Sequence, residues 1–356
     1  MGAEKIRVLV VDDSALMRKI LGDILSSDPR IEVVGTARNG VDGLNKARTL
    51  LPDVITLDVE MPEKDGLSVL EELMATSPMP VIMVSSLSQD GAQTTLKALS
   101  LGCVDFVGKP STAFSMDMQE MAAELISKVI MAKGARLFSP TRKDLTVSCP
   151  ASSVITPRMS PYLRSVKREI VAIAASTGGP IALQSLLSNL PEDFSVPIVI
   201  TQHMPKDFTG SFAKRLDTIS DLSVVEGTEG MDLRAGVAVV APGGSHLIVK
   251  RRQNGLAYCA LSDAPPVLSV KPSANIMFSS VAQEFGGNVV GVILTGMGKD
   301  GADGAVELHS KGAHIIAESS ESCVVFGMPK AAAEAGVVDE LLPLSEIHEA
   351  ILRSIR

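Results

Sequence analysis

Polar residues in the first third of the chain follow short apolar runs at places where they could act together. Asp12 and Asp13 come after the first run, Asp58 after the third, Ser85 after the fourth and Lys109 after the fifth. Carboxylates could hold Mg²⁺ through their hard oxygen atoms. Asp58 could then attack phosphorus while Lys109 and Ser85 contact the phosphoryl oxygens. One such acid alone would indicate only a helix cap or a loop, but the whole set favours phosphoryl transfer to a carboxylate.

A serine in the second half stands where a nucleophile would be exposed. Ser176 ends the segment EIVAIAAS, the residues TGGP follow it, and a helical pattern comes next. On a sharp turn from strand to helix, an alkoxide lies near backbone N–H groups and the positive end of the helix. A glycine-rich phosphate cradle is the alternative interpretation. The segment lacks the GxGxxG spacing and the Walker lysine, so nucleotide binding has little support.

Two further polar residues complete a hydrolytic set with Ser176. His203 follows the apolar run of VPIVITQHMP, and Asp300 lies in the glycine-rich loop of VVGVILTGMGKDG, which we take as the fourth strand of this half. His203 could act as general base, and Asp300 could orient its imidazole. His246 is a rival base. Asp303 is a rival acid, although it falls inside the predicted helix that follows.

The order serine, histidine, aspartate differs from that of α/β-hydrolases, chymotrypsin and subtilisin, but the predicted chemistry is the same. Ser176 attacks an ester carbonyl, His203 protonates the departing alcohol, and water cleaves the acyl-enzyme. Backbone N–H groups near Thr177 and Met297 are the candidates for the oxyanion hole.

The apolar pattern predicts the elements that position these residues. Continuous Val, Ile and Leu runs are typical of strands buried in parallel sheets, and the spacing between them indicates helices. The first 130 residues predict a doubly wound (βα)5 domain, and the second half predicts an α/β domain with a mostly parallel sheet. Ligands of such sheets bind at the carboxyl ends of the strands, where the residues above fall. The predicted strands are Ile6–Val11, Glu32–Gly35, Val54–Leu57, Val81–Val84, Val104–Val107, Ile170–Ala175, Val196–Thr201, Val237–Ala241, Val289–Leu294 and His314–Ala317.

Composition divides the chain into three parts. With 356 residues, 46% of them hydrophobic, the chain exceeds one ordinary core and predicts two domains. We assign them to residues 1–133 and 168–356. The segment 134–167 holds four prolines and many Ser and Thr residues without a sustained apolar period, which predicts a flexible linker.

Charge and cysteine content exclude several classes of protein. A net charge of −8 without a basic stripe argues against binding to nucleic acid or to an anionic membrane surface. The four cysteines stand far apart, which favours reduced thiols over disulfides or zinc ligands. The N-terminal apolar run is short and flanked by charges, so we predict neither a signal peptide nor a membrane span and expect a cytoplasmic protein.

The segments VLVVDDSALMRK, ITLDVEMPEKDG, PVIMVSS and DFVGKP resemble the receiver domain of two-component response regulators. The resemblance covers nearly the whole first domain. It implies that a histidine kinase donates phosphate to Asp58, with Mg²⁺ held by Asp12, Asp13 and Asp58. It also implies a switch in which Ser85 moves toward the phosphoryl group and Phe106 changes rotamer.

The segments VAIAASTGGP, ITQHMP, VAVVAPGGSH, ILTGMGKDGADG and SCVVFGMPKAA resemble the catalytic domain of chemotaxis protein-glutamate methylesterases, over most of residues 168–353. The resemblance implies that Ser176 is the nucleophile, His203 the base and Asp300 the acid that orients the base. Ala174 is a departure, because the family usually has Gly two residues before the serine.

The resemblance, and not the chemistry of the residues, supplies the substrate. It implies hydrolysis of glutamate γ-methyl esters on the cytoplasmic helical bundle of methyl-accepting chemoreceptors, with release of methanol and without a cofactor. It also implies deamidation of receptor glutamines, since the same acyl-enzyme forms from an amide when ammonia leaves.

The fusion of these two domains suggests that the unphosphorylated first domain covers the catalytic edge of the second. Phosphorylation of Asp58 would then change the surface around Phe106 and open the interface. Two alternatives remain at this point. The second domain could be a binding module, which would need a basic surface in the case of DNA, or a serine hydrolase that acts on a substrate other than a receptor.

Overall fold

Two open parallel sheets, each covered by helices, form the structure. The computed structural model describes residues 4–86, 88–109, 115–137 and 167–355. We call residues 4–137 the N-terminal part and residues 167–355 the C-terminal part. The elements of the N-terminal part are β1 (Ile6–Val11), α1 (Ala15–Ser26), β2 (Ile31–Ala37), α2 (Gly40–Leu50), β3 (Val54–Asp58), α3 (Gly66–Thr76), β4 (Val81–Ser86), α4 (Gln89–Ser100), β5 (Asp105–Lys109) and α5 (Ser115–Ala132).

The sheet of the N-terminal part has the strand order β2-β1-β3-β4-β5, and every pair is parallel. The direction in which strands are added reverses beside β1, so a crevice opens at the carboxyl ends of β1 and β3. Side chains cap the first turns of α1 to α4 and fix where these helices begin. The capping residues, whose side chains accept a backbone N–H, are Ser14, Asn39, Asp65 and Ser88.

The C-terminal part contains a second parallel sheet and an antiparallel hairpin. Its elements are β6 (Ile170–Ala175), α6 (Gly179–Leu187), β7 (Ile198–Gln202), α7 (Thr209–Ile219), β8 (Ser223–Glu226), β9 (Val237–Val240), β10 (His246–Arg251), β11 (Ala257–Ser262), α8 (Ala274–Phe285), β12 (Val289–Ile293), α9 (Ala302–Ser310), β13 (His314–Glu318), α10 (Met328–Glu334), β14 (Glu340–Leu342) and α11 (Leu344–Ile355). The sheet order is β14-β13-β12-β6-β7-β9-β8, with all pairs parallel, and β10 pairs with β11.

This architecture confirms the predicted fold class, and the differences concern particular strands. The sequence pattern missed β8, β14 and the hairpin of β10 and β11. Short strands and half-exposed hairpin strands lack the continuous apolar run that identifies a buried parallel strand. As a result β12, predicted as the fourth strand of its half, is the seventh strand of the C-terminal part in chain order. The last strand of the N-terminal part runs from Asp105 to Lys109, since Ser85 and Ser86 pair with Gly108 and Lys109.

The two parts pack against each other. Helix α4 lies against α6 and α7. The ring of Phe106, on β5, stacks on that of Phe208 with centroids 4.8 Å apart and planes inclined by 10°. After α5, the Arg136 N–H donates to the Val324 carbonyl over 3.3 Å. Most of the predicted linker, residues 138–166, lies outside the described residues, so the domain boundaries stay predictions.

No helix among the described residues has both the length and the apolar character needed to cross a membrane. Three of the cysteines, Cys103, Cys259 and Cys323, are buried and free. Cys149 lies outside the described residues.

Two glycines in the N-terminal part should respond in opposite ways to substitution by alanine. Gly22, inside α1, has no atom within 4 Å of an added Cβ, so Gly22→Ala should raise the free energy of unfolding by about 0.5–1 kcal/mol. An added Cβ at Gly66 would lie 2.0 Å from the Asp58 carbonyl oxygen. Gly66→Ala should therefore lower the free energy of unfolding by about 1–3 kcal/mol. Urea unfolding followed by circular dichroism measures both. Equal effects of the two substitutions would contradict this account.

Candidate functional sites

The structure brings the three predicted acids and the lysine together at the crevice beside β1. Oxygen atoms of Asp12, Asp13 and Asp58 lie within 4.8 Å of one another, and Asp12 and Asp58 are buried while Asp13 is exposed. The Lys109 Nζ lies 2.8 Å from Asp58 Oδ2 and 3.1 Å from Asp12 Oδ2. The Ser14 N–H donates to Asp12 Oδ1 over 2.8 Å. Three clustered carboxylates suit a divalent cation of the Mg²⁺ class.

The electrostatics of this crevice also favour a cation. Burial raises the pKa of the Asp58 carboxyl to about 6, the negative charge of Asp12 adds to the rise, and Lys109 opposes it. The same Asp12 and Asp58 oxygens that face Lys109 accept no hydrogen bond of good geometry among the described residues. Two buried carboxylates that share a single ammonium group therefore have unused capacity for a metal ion.

The two predicted switch residues are not at this acidic cluster. The Ser85 Oγ is turned to backbone carbonyls, at 3.3 Å from that of Ser86 and 3.4 Å from that of Gly91. Phe106 is buried between Phe208 of the C-terminal part and the Lys128 Nζ, which lies 5.2 Å from the centroid of the Phe106 ring. Both residues thus lie where a rearrangement of β4 and β5 would move them.

Ser176 stands on the short turn between β6 and α6, as predicted. Gly178 has a φ of +78°, a conformation that favours glycine, and its added Cβ would collide with Val324. An added Cβ at Gly179 would lie 2.1 Å from Gln202 Oε1. The Ser176 N–H donates to the Thr295 carbonyl over 3.1 Å, and its own carbonyl accepts from the Gly179 N–H over 2.7 Å. The two glycines let the turn fit between β7 and the loop after β13.

Ala174 does not disturb the strand that leads to Ser176. The residue is fully buried and pairs in register with Ile293 and Thr201 on the neighbouring strands. Its methyl group faces Gly301, where an added Cβ would lie 3.5 Å from it. The methyl group therefore packs beneath the loop that carries Asp300.

His203 and Asp300 meet across β6. His203 Nε2 lies 2.8 Å from Asp300 Oδ2, and the two side chains are 11% and 3% exposed. The His203 N–H donates to the Ala175 carbonyl over 3.1 Å, which holds the histidine beside the serine turn. With its Nε2 proton donated to the carboxylate, the ring presents Nδ1 as the base. Among the residues that the structure describes, Nδ1 has no hydrogen-bond partner.

The Asp300 carboxylate accepts further hydrogen bonds from the start of α8. Oδ1 accepts from Ser273 Oγ over 2.7 Å and from the Asn275 N–H over 3.2 Å, and Oδ2 accepts from the Ala274 N–H over 2.6 Å. Burial acts to raise the pKa of the Asp300 carboxyl. The hydrogen bond and charge of His203, with the bonds from Ser273 and Ala274, outweigh burial and hold this pKa below its ordinary value.

The two rival residues occupy other positions. His246 is fully buried, and both of its ring nitrogens face backbone groups, Nε2 the Pro265 carbonyl at 3.1 Å and Nδ1 the Ser273 N–H at 3.0 Å. Asp303 is exposed on α9. Neither side chain forms a hydrogen bond with Ser176 or His203.

The two residues proposed for the oxyanion hole both touch the N-terminal part. The backbone N–H groups of Thr177 and Met297 have no acceptor among the described residues, which leaves them available to an oxyanion. Their side chains are engaged, however. Thr177 Oγ1 donates to Asp105 Oδ2, and Ser127 Oγ lies 3.6 Å from Met297 Sδ. Side chains of β5 and α5 therefore contact both candidate oxyanion residues.

Sequence reasoning missed the residues that support the site. Gln202 Nε2 donates to the carbonyls of Ser176 and His203 over 3.0 and 3.1 Å, and a polar residue next to His203 was a signal that could have been used. Ser273 lies before a helix that the pattern did not separate, and its contact with Asp300 spans 27 residues. No local signal in the sequence reports that contact.

Comparison with known proteins agrees with this geometry. A family model described as CheB methylesterase matches residues 171–351, and one described as response regulator receiver domain matches residues 8–119. A protein-glutamate methylesterase/protein-glutamine glutaminase of Pyrococcus horikoshii is 45% identical over 99% of this chain and 94% of its own length. One of Halalkalibacterium halodurans is 46% identical over 99% of both chains.

The chain belongs to the CheB methylesterase family. The crystal structure of the Thermotoga maritima CheB methylesterase catalytic domain, 42% identical, covers 53% of this chain and 99% of that one with a TM-score of 0.51. In this CheB-family chain, the N-terminal part is accordingly a receiver and the C-terminal part a methylesterase domain.

The lowered pKa of Asp300 predicts a specific acid dependence of stability. A carboxyl whose pKa is lower in the folded state stabilises the fold above its unfolded pKa of about 4, and this contribution is lost as pH falls through the lowered value. Asp300→Asn should therefore show a smaller fall in melting temperature than wild type between about pH 5 and pH 2. Thermal melts followed by circular dichroism measure this, with the exposed Asp303→Asn as matched control. Parallel curves for wild type and Asp300→Asn would contradict the inference.

Proposed function

We propose that this chain is a phosphorylation-regulated protein-glutamate methylesterase that also deamidates protein glutamines. The observation that carries the proposal is the buried Asp300–His203 pair, 2.8 Å apart, beside the turn that bears Ser176. It occurs in a chain that matches relatives of this name over nearly its full length. The proposed substrates are glutamate γ-methyl esters of methyl-accepting chemoreceptors, and the process is adaptation in chemotaxis.

The proposed reaction uses His203 first as base and then as acid. His203 Nδ1 takes the Ser176 hydroxyl proton while Oγ attacks the ester carbonyl, and Asp300 stabilises the imidazolium that forms. The backbone N–H groups of Thr177 and Met297 receive the negative oxygen of the tetrahedral intermediate. The imidazolium then protonates the departing methanol, and water, deprotonated by His203, releases the glutamate. An amide enters the same sequence with ammonia as the leaving group.

Ser176→Ala should abolish release of methanol from methyl-labelled receptor membranes, with a loss of at least about 1000-fold, because the substitution removes the hydroxyl on which the proposed acyl-enzyme forms. Volatile radioactivity measures the release. Ser188→Ala, at the exposed residue that follows α6, is the matched control. Undiminished methanol release by Ser176→Ala would contradict the assignment of Ser176, His203 and Asp300 as a catalytic triad. A wild-type protein that hydrolyses a simple ester but not the receptor ester would instead support a serine hydrolase with another substrate.

The receiver part is proposed to take its phosphoryl group on Asp58 from a histidine kinase. Asp12, Asp13 and Asp58 would hold Mg²⁺, which neutralises charge on the phosphoryl oxygens when it is bound. Lys109, within 2.8 Å of Asp58, would contact the phosphoryl group. Ser85 would supply a hydroxyl after it leaves the backbone carbonyls to which it now points. The esterase reaction uses no cofactor.

The unphosphorylated receiver is proposed to inhibit the esterase through its contacts with the oxyanion side of the site. Asp105 and Phe106 on β5 contact Thr177 and Phe208, and Lys109 lies at the end of the same strand. A change around Lys109 is thereby transmitted along a single strand to the interface. The kinase and the cytoplasmic part of the chemoreceptors are the proposed partners, and the cytoplasm is the proposed location.

Phe106→Ala in the unphosphorylated protein should raise the rate of ester hydrolysis by about 2- to 10-fold, since an aromatic pair contributes about 0.5–1.5 kcal/mol to the closed arrangement. The rate is measured with Asp58→Asn as background, so that phosphorylation cannot contribute. Leu51→Ala, an exposed receiver position at the end of α2, serves as control. An unchanged or lower rate in Phe106→Ala would contradict inhibition through this contact.

A further inference from the structure

His246 is a fully buried histidine that the proposed reaction does not use. It begins β10, and its two ring nitrogens bind backbone groups on the loop between β11 and α8. A carbonyl can only accept, so Nε2 carries the proton and donates it to the Pro265 carbonyl over 3.1 Å. Nδ1 is then unprotonated and accepts the Ser273 N–H over 3.0 Å. The two bonds therefore require the same neutral tautomer.

Ser273, held through its N–H by His246, in turn contacts Asp300, the acid of the proposed triad. It precedes the first residue of α8, but its side chain makes no capping bond to the helix. Its Oγ donates instead to Asp300 Oδ1 over 2.7 Å, and the next N–H groups, of Ala274 and Asn275, also point to the Asp300 carboxylate. Asp300 thus caps α8 from another segment, and the positive end of the helix faces its negative charge.

We propose that His246 is a positioning residue for the esterase reaction. It holds the Ser273 N–H, which fixes the start of α8 against Asp300 and so sets the direction in which Asp300 holds His203. The hydrogen bonds of the His246 ring go to Pro265 and Ser273, and none joins it to a triad residue. This inference rests on the proposed esterase function, and it assigns the restraint to one atom, the unprotonated Nδ1.

Two substitutions distinguish the roles of the two ring nitrogens of His246. In His246→Asn, the amide oxygen can take the place of Nδ1 and accept the Ser273 N–H, while the donor to Pro265 is lost. In His246→Gln, the amide nitrogen can take the place of Nε2 and donate to Pro265, while the acceptor for Ser273 is lost. Each variant keeps one of two buried hydrogen bonds, so their melting temperatures should fall by similar amounts.

The activity of the two variants should differ. His246→Gln should lower kcat for methyl-labelled receptor about 10-fold or more with KM unchanged, because a small displacement of a catalytic group has a large effect on rate. His246→Asn should recover most of the wild-type kcat. His309→Gln, an exposed histidine on α9, is the matched control and should behave as wild type. Methanol release and the melting temperature are measured on the full-length chain.

Equal loss of kcat in both variants, in proportion to their loss of stability, would overturn the assignment, as would full activity of His246→Gln. If His246→Gln does not fold, Ser273→Ala tests the same chain of contacts. It keeps the N–H that His246 binds and removes the hydroxyl bonded to Asp300, so kcat should fall while KM stays, and full activity would overturn the inference. A wild-type protein that releases no methanol would instead overturn the proposed function, and the inference with it.

Discussion

The buried carboxylate of Asp300 connects the start of α8 to His203 within the C-terminal part. It receives Ser273 Oγ and two backbone N–H groups from the start of α8, and His203 from the end of β7. A buried charge is tolerated only when such donors surround it. Removing it would leave the Ala274 and Asn275 N–H groups without this acceptor and His203 without its partner. The position of α8 and the orientation of His203 therefore depend on the same carboxylate.

The two sides of Ser176 differ in their contacts with the receiver. On one side, His203 and Asp300 are held entirely by the methylesterase domain. On the other, Thr177 and Met297 touch receiver side chains on β5 and α5. A movement of the receiver would therefore change the surroundings of Thr177 and Met297, the proposed oxyanion residues, while the contact between His203 and Asp300 stays in place. In the proposed mechanism, this separation would let the receiver cover a formed site, so that activation would need only the movement of one surface.

In the receiver, one strand, β5, contacts both the acidic crevice and the C-terminal part. At its carboxyl end, β5 places Lys109 against Asp58, and at its start it places Asp105 and Phe106 against the catalytic part. The raised pKa of Asp58 reflects a buried crevice in which charge is not fully compensated. A phosphoryl group on Asp58 would attract Lys109. The change of charge would then act on β5, whose first residues contact the C-terminal part.

Much of this protein could be predicted from the sequence, because it is built on buried parallel strands. Their continuous apolar runs identify them, and residues that follow them reach one edge of a sheet, so Asp12, Asp58, Ser176 and Asp300 could be placed without coordinates. The choice between His203 and His246 could not be made in this way, since each follows a strand and only the hydrogen bonds of their rings tell them apart. The contact of Thr177 with Asp105 was equally hidden, because it joins residues 72 positions apart in different parts of the molecule. The sequence determined which residue types stand at the strand ends, whereas only the tertiary structure decided which of them meet, since packing between distant segments leaves no local periodic signal.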